Sequence, residues 1–181
     1  MYSKGFLAVH EAGHVVMTLH HKNIFFEWDY VTIDEAICND RNCGGFVSGF
    51  WLSSEDIQSM KKDHYYKALR KKIEELIRMF LSGVLATEIE KSGNIPEFNS
   101  DLYFYNGGEN DFDKAFEVGS CFFREKTLEK VLIESHFKAG NILLKRWGFV
   151  ENLANRLERQ NTLKKQEIKK LWDNQSGQPS P

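Results

Sequence analysis

The chain has 181 residues, 41% of them hydrophobic and 28% charged, with a formal net charge of -2. That balance fits one folded domain, or one domain with a small helical extension, and excludes a largely disordered or fibrous chain. A pI near 6.3 leaves no broad cationic field for nucleic acid or an anionic membrane, so no nucleic-acid partner is expected, and no apolar run reaches the roughly 20 residues of a membrane span.

Taken in chain order, the first predicted element is a helix from Gly5 to about Lys22, with apolar Phe6, Leu7, Val9, Val15, Val16 and Leu19 at helical spacing and no proline. Gly13 interrupts it. Glycine inside a helix costs roughly 1 kcal/mol relative to alanine, so close packing against that turn is expected. "WDYVTI" (Trp28 to Ile33) and "GFVSGFWL" (Gly45 to Leu52) are rich in β-branched and aromatic residues and predict two short antiparallel strands joined by the polar loop "DEAICNDRNCG". "SSED" (Ser53 to Asp56) supplies an N-cap, opening a helical region that reaches Lys91. Ile73, Leu76, Ile77, Phe80, Leu81, Val84, Leu85 and Ile89 give it a wide apolar face.

Ser92 to Asn110 breaks the periodicity with Gly, Pro and Asn and reads as a long loop. Helices are then expected at Asp111 to about Arg124, Thr127 to Trp147, about Val150 to Arg159 and Lys164 to Trp172, before a frayed tail. The whole predicts a mainly α domain over residues 1–174 with a small antiparallel sheet after the first helix. Residues 1–125 would hold the functional part, 126–174 the C-terminal helices and 175–181 a flexible tail.

Three cysteines, Cys38, Cys43 and Cys121, show no close-spaced repeat, which argues against a disulfide framework and for a reducing, cytoplasmic setting. Cys38 and Cys43 as a bridge, or as part of a second metal site, is a weaker reading than reduced thiols near a loop. "KKDHYYKALRKK" (Lys61 to Lys72) is basic with interleaved tyrosines. It admits a DNA-binding reading, but a charge run before an apolar-periodic helix is usually its solvated face.

The chemistry lies in "VHEAGHVV" on the first helix. His10 and His14, four residues apart, project from one helical face and suit one tetrahedral metal ion, with Glu11 beside them and placed to take a proton from metal-activated water. A third ligand is needed. Asp111, Asp113, Glu109 and Glu88 compete for that place, and His20, His21, His64 and His136 are less attractive because nothing fixes them near the first helix. Spacing alone does not choose.

"AVHEAGHVV" resembles the zinc-binding helix of the peptidase domain of FtsH-type AAA metalloproteases, which carry HEAGHA there. Further similarities follow in order: "VTI" with Gly44-Gly45 to the strand and loop after that helix, "LSGVLATEIE" (Leu81 to Glu90) to the GGRAAEEL segment, "GGENDFDKA" (Gly107 to Ala115) to TGASNDLxxAT, and Leu143 to Leu171 to the closing helices. The resemblance implies a helical zinc metallopeptidase domain with ligands His10, His14 and Asp111, Glu11 as general base, and supporting roles for Asn110 and Glu88. Ser82, Val84 and Thr87 depart from the family pattern, as does the basic stretch before the core helix.

The expected function is therefore zinc-dependent hydrolysis of peptide bonds. The chain carries no ATPase segment, so a stand-alone domain acting on flexible peptides or unfolded protein is expected; the family's rings make a homo-oligomer conceivable here. The alternative is a catalytically idle domain of the same fold that binds a peptide or partner and retains zinc. Intact Glu11 favours hydrolysis. The aromatic segments "FFEWDY", "DLYFY" and "CFFREK" are candidates for a substrate groove, though aromatic clusters more often belong to the core.

Overall fold

The computed structural model describes residues 2–21, 26–39, 45–51, 57 and 66–176. Cys43, His64, "SSED" and the start of the basic stretch lie outside the described residues, as does the side chain of Cys38.

Helix α1 spans Lys4–His20 and is capped by Ser3, whose hydroxyl oxygen accepts the Phe6 N–H at 3.1 Å. Every residue from Ala8 to Thr18 is buried, because α1 runs through the middle of the molecule. Strand β1 (Phe26–Thr32) follows, then a single turn of helix α2 (Glu35–Asn39) and strand β2 (Phe46–Trp51). The turn of helix replaces part of the expected polar loop. The Asp34 carboxylate accepts the Ala36 N–H at 3.0 Å, which gives that turn its start.

Helix α3 (Tyr66–Ser92) is the long core helix expected from the apolar periodicity, and it packs along α1. Gly13 lies at the crossing. A Cβ there would collide with the Ser82 carbonyl oxygen and come within 2.8 Å of Ala86 Cβ, so the glycine and its alanine neighbour let the backbones close together.

The stretch read as a long loop contains helix α4 (Ser100–Tyr105), capped by the Asn99 side chain. Four more elements complete the helical part: α5 (Glu109–Ser120), α6 (Glu125–Lys145), α7 (Trp147–Gln160) and α8 (Lys165–Ser176). Helix α7 packs on the second side of α1, and α6 on α3.

Among the described residues the sheet has three strands rather than the two expected. Between α7 and α8, strand β3 (Thr162–Lys164) pairs antiparallel with β1, so the order is β2-β1-β3. Asn161, at φ 61°, turns the chain out of α7, and its carbonyl accepts the Ile33 N–H at 2.8 Å. A continuous cluster of buried apolar side chains joins Ala8 on α1, Trp28 and Val31 on β1, Leu85 on α3 and Ile168 on α8. The sheet is thereby joined to α1, and Gly45, entering β2, reaches the Glu11 side chain.

Candidate metal centre

His10 and His14 face α3 and α5 from one side of α1, as the four-residue spacing requires. Helix α5 begins at Glu109 after the Gly107-Gly108 turn, so Asp111 stands in its first turn with the carboxylate directed at α1. His10 Nε2 and His14 Nε2 each lie 3.1 Å from Asp111 Oδ2, and 3.1 Å from one another. Three ligand atoms from two helices thus close a triangle. A tetrahedral ion bound at about 2.0–2.1 Å would hold such atoms roughly 3.3 Å apart, close to what is seen.

The tautomer at His14 strengthens the point. Its Nδ1–H donates to the Met79 carbonyl at 2.8 Å, a bond that leaves Nε2 with its lone pair facing the other two atoms. His10 Nδ1 is buried and has no partner among the described residues. Without a positive charge between them, two imidazole lone pairs and a carboxylate oxygen would repel. In the metal-free chain a proton supplies that charge. Burial opposes a His14 cation, but the adjacent Asp111 carboxylate outweighs it and holds the pKa up at about 9. Burial likewise works against the Asp111 anion, and the His14 charge with hydrogen bonds from both histidines drives its pKa well below the usual carboxylate range.

Space for an ion comes from α3. A Cβ on Gly83 would lie 2.5 Å from His10 Nε2 and 2.6 Å from His14 Nε2, inside the place where the ligand atoms converge. The described residues therefore fit a metal ion in donor type, spacing and room, and His10, His14 and Asp111 form the group able to hold one.

Glu11 sits on the same turn of α1, 4% exposed. A Cβ on Gly45 would come within 2.9 Å of its Oε1, and Oε2 is buried with no hydrogen-bond partner among the described residues. Burial raises its pKa above the ordinary carboxylate value, against the lowering pull of His14 and His10.

The rival ligands lie elsewhere. Asp113 and Glu109 are exposed, since two residues either way along a helix turn a side chain to another face. Glu88 accepts from Lys91 Nζ at 2.6 Å, and Asn110 is exposed. Neither joins the triangle. His20 and His21 end α1, where the Arg78 Nε–H donates to His21 Nε2 at 3.2 Å. His136, fully buried, is engaged by Tyr103 and the Pro96 carbonyl. Among the aromatic groove candidates Trp28, Tyr103, Phe122 and Phe123 are core residues, whereas Phe104 and Tyr105 are exposed. Gly83, which leaves the room where the ligand atoms converge, is not singled out by residue type, because nothing in a sequence tells which way an absent side chain would have pointed.

Fold and site together define a mainly helical protein with a small antiparallel sheet and a His-His-Asp group able to hold a metal ion. Among the described residues no helix is long and apolar enough to cross a membrane. No protein-family model matches the chain, and no curated protein matches it.

Proposed function

We propose that the chain is a zinc-dependent metallopeptidase that hydrolyses peptide bonds, with His10, His14 and Asp111 as metal ligands and Glu11 as general base. The observation that carries this reading is Glu11: a buried carboxylate with one oxygen that has no hydrogen-bond partner among the described residues, on the same helical turn as the converging ligand atoms. An unpaired buried carboxylate is costly, and water held beside it is the partner that both satisfies it and begins hydrolysis. Three protein ligands also leave a fourth tetrahedral position open, whereas structural zinc sites are closed by four.

Bound zinc would supply Lewis acidity, lowering the pKa of water towards about 7 and polarising a carbonyl. The residues of the chain do the remainder. Glu11, its pKa raised by burial, accepts the proton of the attacking water and delivers it to the amine nitrogen as the peptide C–N bond breaks. The Met79 carbonyl keeps the His14 ring oriented, and Asp111 balances charge at the ligand triangle. Strand β2 lies at the edge of the sheet beside Glu11, a position suited to an extended peptide pairing with the strand backbone. The ordered resemblance to FtsH-type peptidases supports the same reading, and flexible or unfolded polypeptide is the proposed substrate class.

Glu11→Gln keeps the shape of the side chain and removes the base. Zinc content should stay at the wild-type level while cleavage of a denatured, fluorescently labelled protein falls by roughly 10²–10⁴-fold. Equal cleavage by wild type and variant, or none by zinc-loaded wild type, would overturn the proposal.

A further inference from the structure

We propose that Tyr103 and His136, neither of which touches the ligand triangle, are positioning residues that fix Asp111 in place, an inference that rests on the metal-centre reading above. Two of the three ligands come from α1, whose surroundings hold it on every side. Asp111 instead follows the irregular stretch after α3, and its place depends on how that stretch is fastened.

The fastening is a buried polar chain. His136 on α6 is fully buried; its Nε2–H donates to the Pro96 carbonyl at 2.7 Å, which leaves Nδ1 as an acceptor for the Tyr103 hydroxyl at 2.8 Å. Burial lowers the His136 pKa and raises that of Tyr103, so both stay neutral and the bond keeps one direction. Tyr103 is itself fully buried. Its carbonyl accepts the Gly108 N–H at 3.0 Å, and the Gly108 carbonyl accepts the Phe112 N–H at 2.8 Å, the first turn of α5. The Tyr103 ring stacks on Phe112 with centroids 5.1 Å apart, and Phe112 is the neighbour of Asp111. Below the turn, a Cβ on Gly108 would collide with Val84 Cγ2, so the loop is pressed onto α3 one residue beyond Gly83. From His136 to Asp111 the path is continuous. Apolar packing alone would bury this region as well, but it would not set the rotation of α5 that points a carboxylate oxygen at two imidazole nitrogens; groups that orient a ligand do so through directed hydrogen bonds.

The test compares wild type with Tyr103→Phe, which loses one oxygen and keeps the ring on Phe112, and with His136→Leu. Dissociation constants for cobalt(II), the visible spectrum of the cobalt form and the melting temperature of the metal-free protein are measured for each. Cobalt binding should weaken about 10–100-fold in Tyr103→Phe, with a changed ligand-field spectrum. The double variant should be no weaker than the worse single one, because both act on one path. A lower melting temperature with unchanged cobalt affinity and spectrum would reduce the pair to a structural role and overturn the inference. Failure of wild type to bind cobalt at one ion per chain would overturn the metal-centre reading itself, which separates the two failures.

Discussion

Helix α1 and its C-cap carry two pairs of histidines, and their contrast shows what makes a site. His10 and His14 stand four residues apart and meet the Asp111 carboxylate at 3.1 Å. His20 and His21 are adjacent, so they point in different directions, and His21 meets the guanidinium of Arg78, with a Glu75 carboxylate oxygen 3.8 Å away. Burial disfavours a positive charge at both places. At His14 the facing carboxylate wins and the pKa rises to about 9; at His21 burial, joined by Arg78, His20 and Lys71, drives it down to about 3. The charge that each ring faces, set by spacing and by the helix opposite, decides which pair can recruit a cation.

That contrast is most severely broken by filling the space between the first pair. Gly83→Ala places a methyl group at the ligand nitrogens and should weaken zinc binding by more than the 10–100-fold typical of changes outside the ligand shell, read by competition against a chelator. Wild-type affinity in this variant would mean that the ions do not bind over Gly83. A middle-sized effect is expected with pH. Metal-free His14 holds a proton below about pH 9 that an ion must displace, so zinc affinity should rise about tenfold per unit between about pH 6 and 8. Calorimetry in two buffers of different ionisation enthalpy should find close to one proton released per ion, and none released would contradict the assignment.

The smallest effect belongs to the second pair. The folded-state pKa of His21 lies near 3 and its unfolded value near 6.5, so between these the unfolded chain binds the extra proton and the native state loses stability as pH falls. His21→Asn removes that loss. Its melting temperature relative to wild type should climb as pH is lowered from about 7 to about 4.5, with zinc content unaltered. A difference that stays flat over this range would show that His21 protonates freely in the folded protein.

How much of this was legible depends on the range over which each signal acts. The four-residue spacing on α1 and the apolar stripe of α3 are local, and both elements stand close to where their residues predict. Gly13 was readable as a close approach because a glycine in a helix needs a reason, and the reason is the Ser82 carbonyl. The third ligand was not decided by residue type: Asp111, Asp113 and Glu109 share one helix turn's worth of sequence, and only the docking of α5 selects among them. Strand β3 is three residues long and pairs Thr162 with Thr32, 130 positions earlier, so no window on the sequence contains both partners. Helix α4 had a local signal in the Asn99 cap, overshadowed by the glycines and proline around it.

In the proposed metal centre His10, His14 and Asp111 together hold one ion. This is tested most directly by the metal content of purified wild type, Asp111→Ala and His21→Asn, determined by mass spectrometry after zinc reconstitution. Close to one zinc per chain is expected in wild type and His21→Asn, with a sharp loss in Asp111→Ala. Zinc absent from wild type, or retained in full by Asp111→Ala, would contradict it.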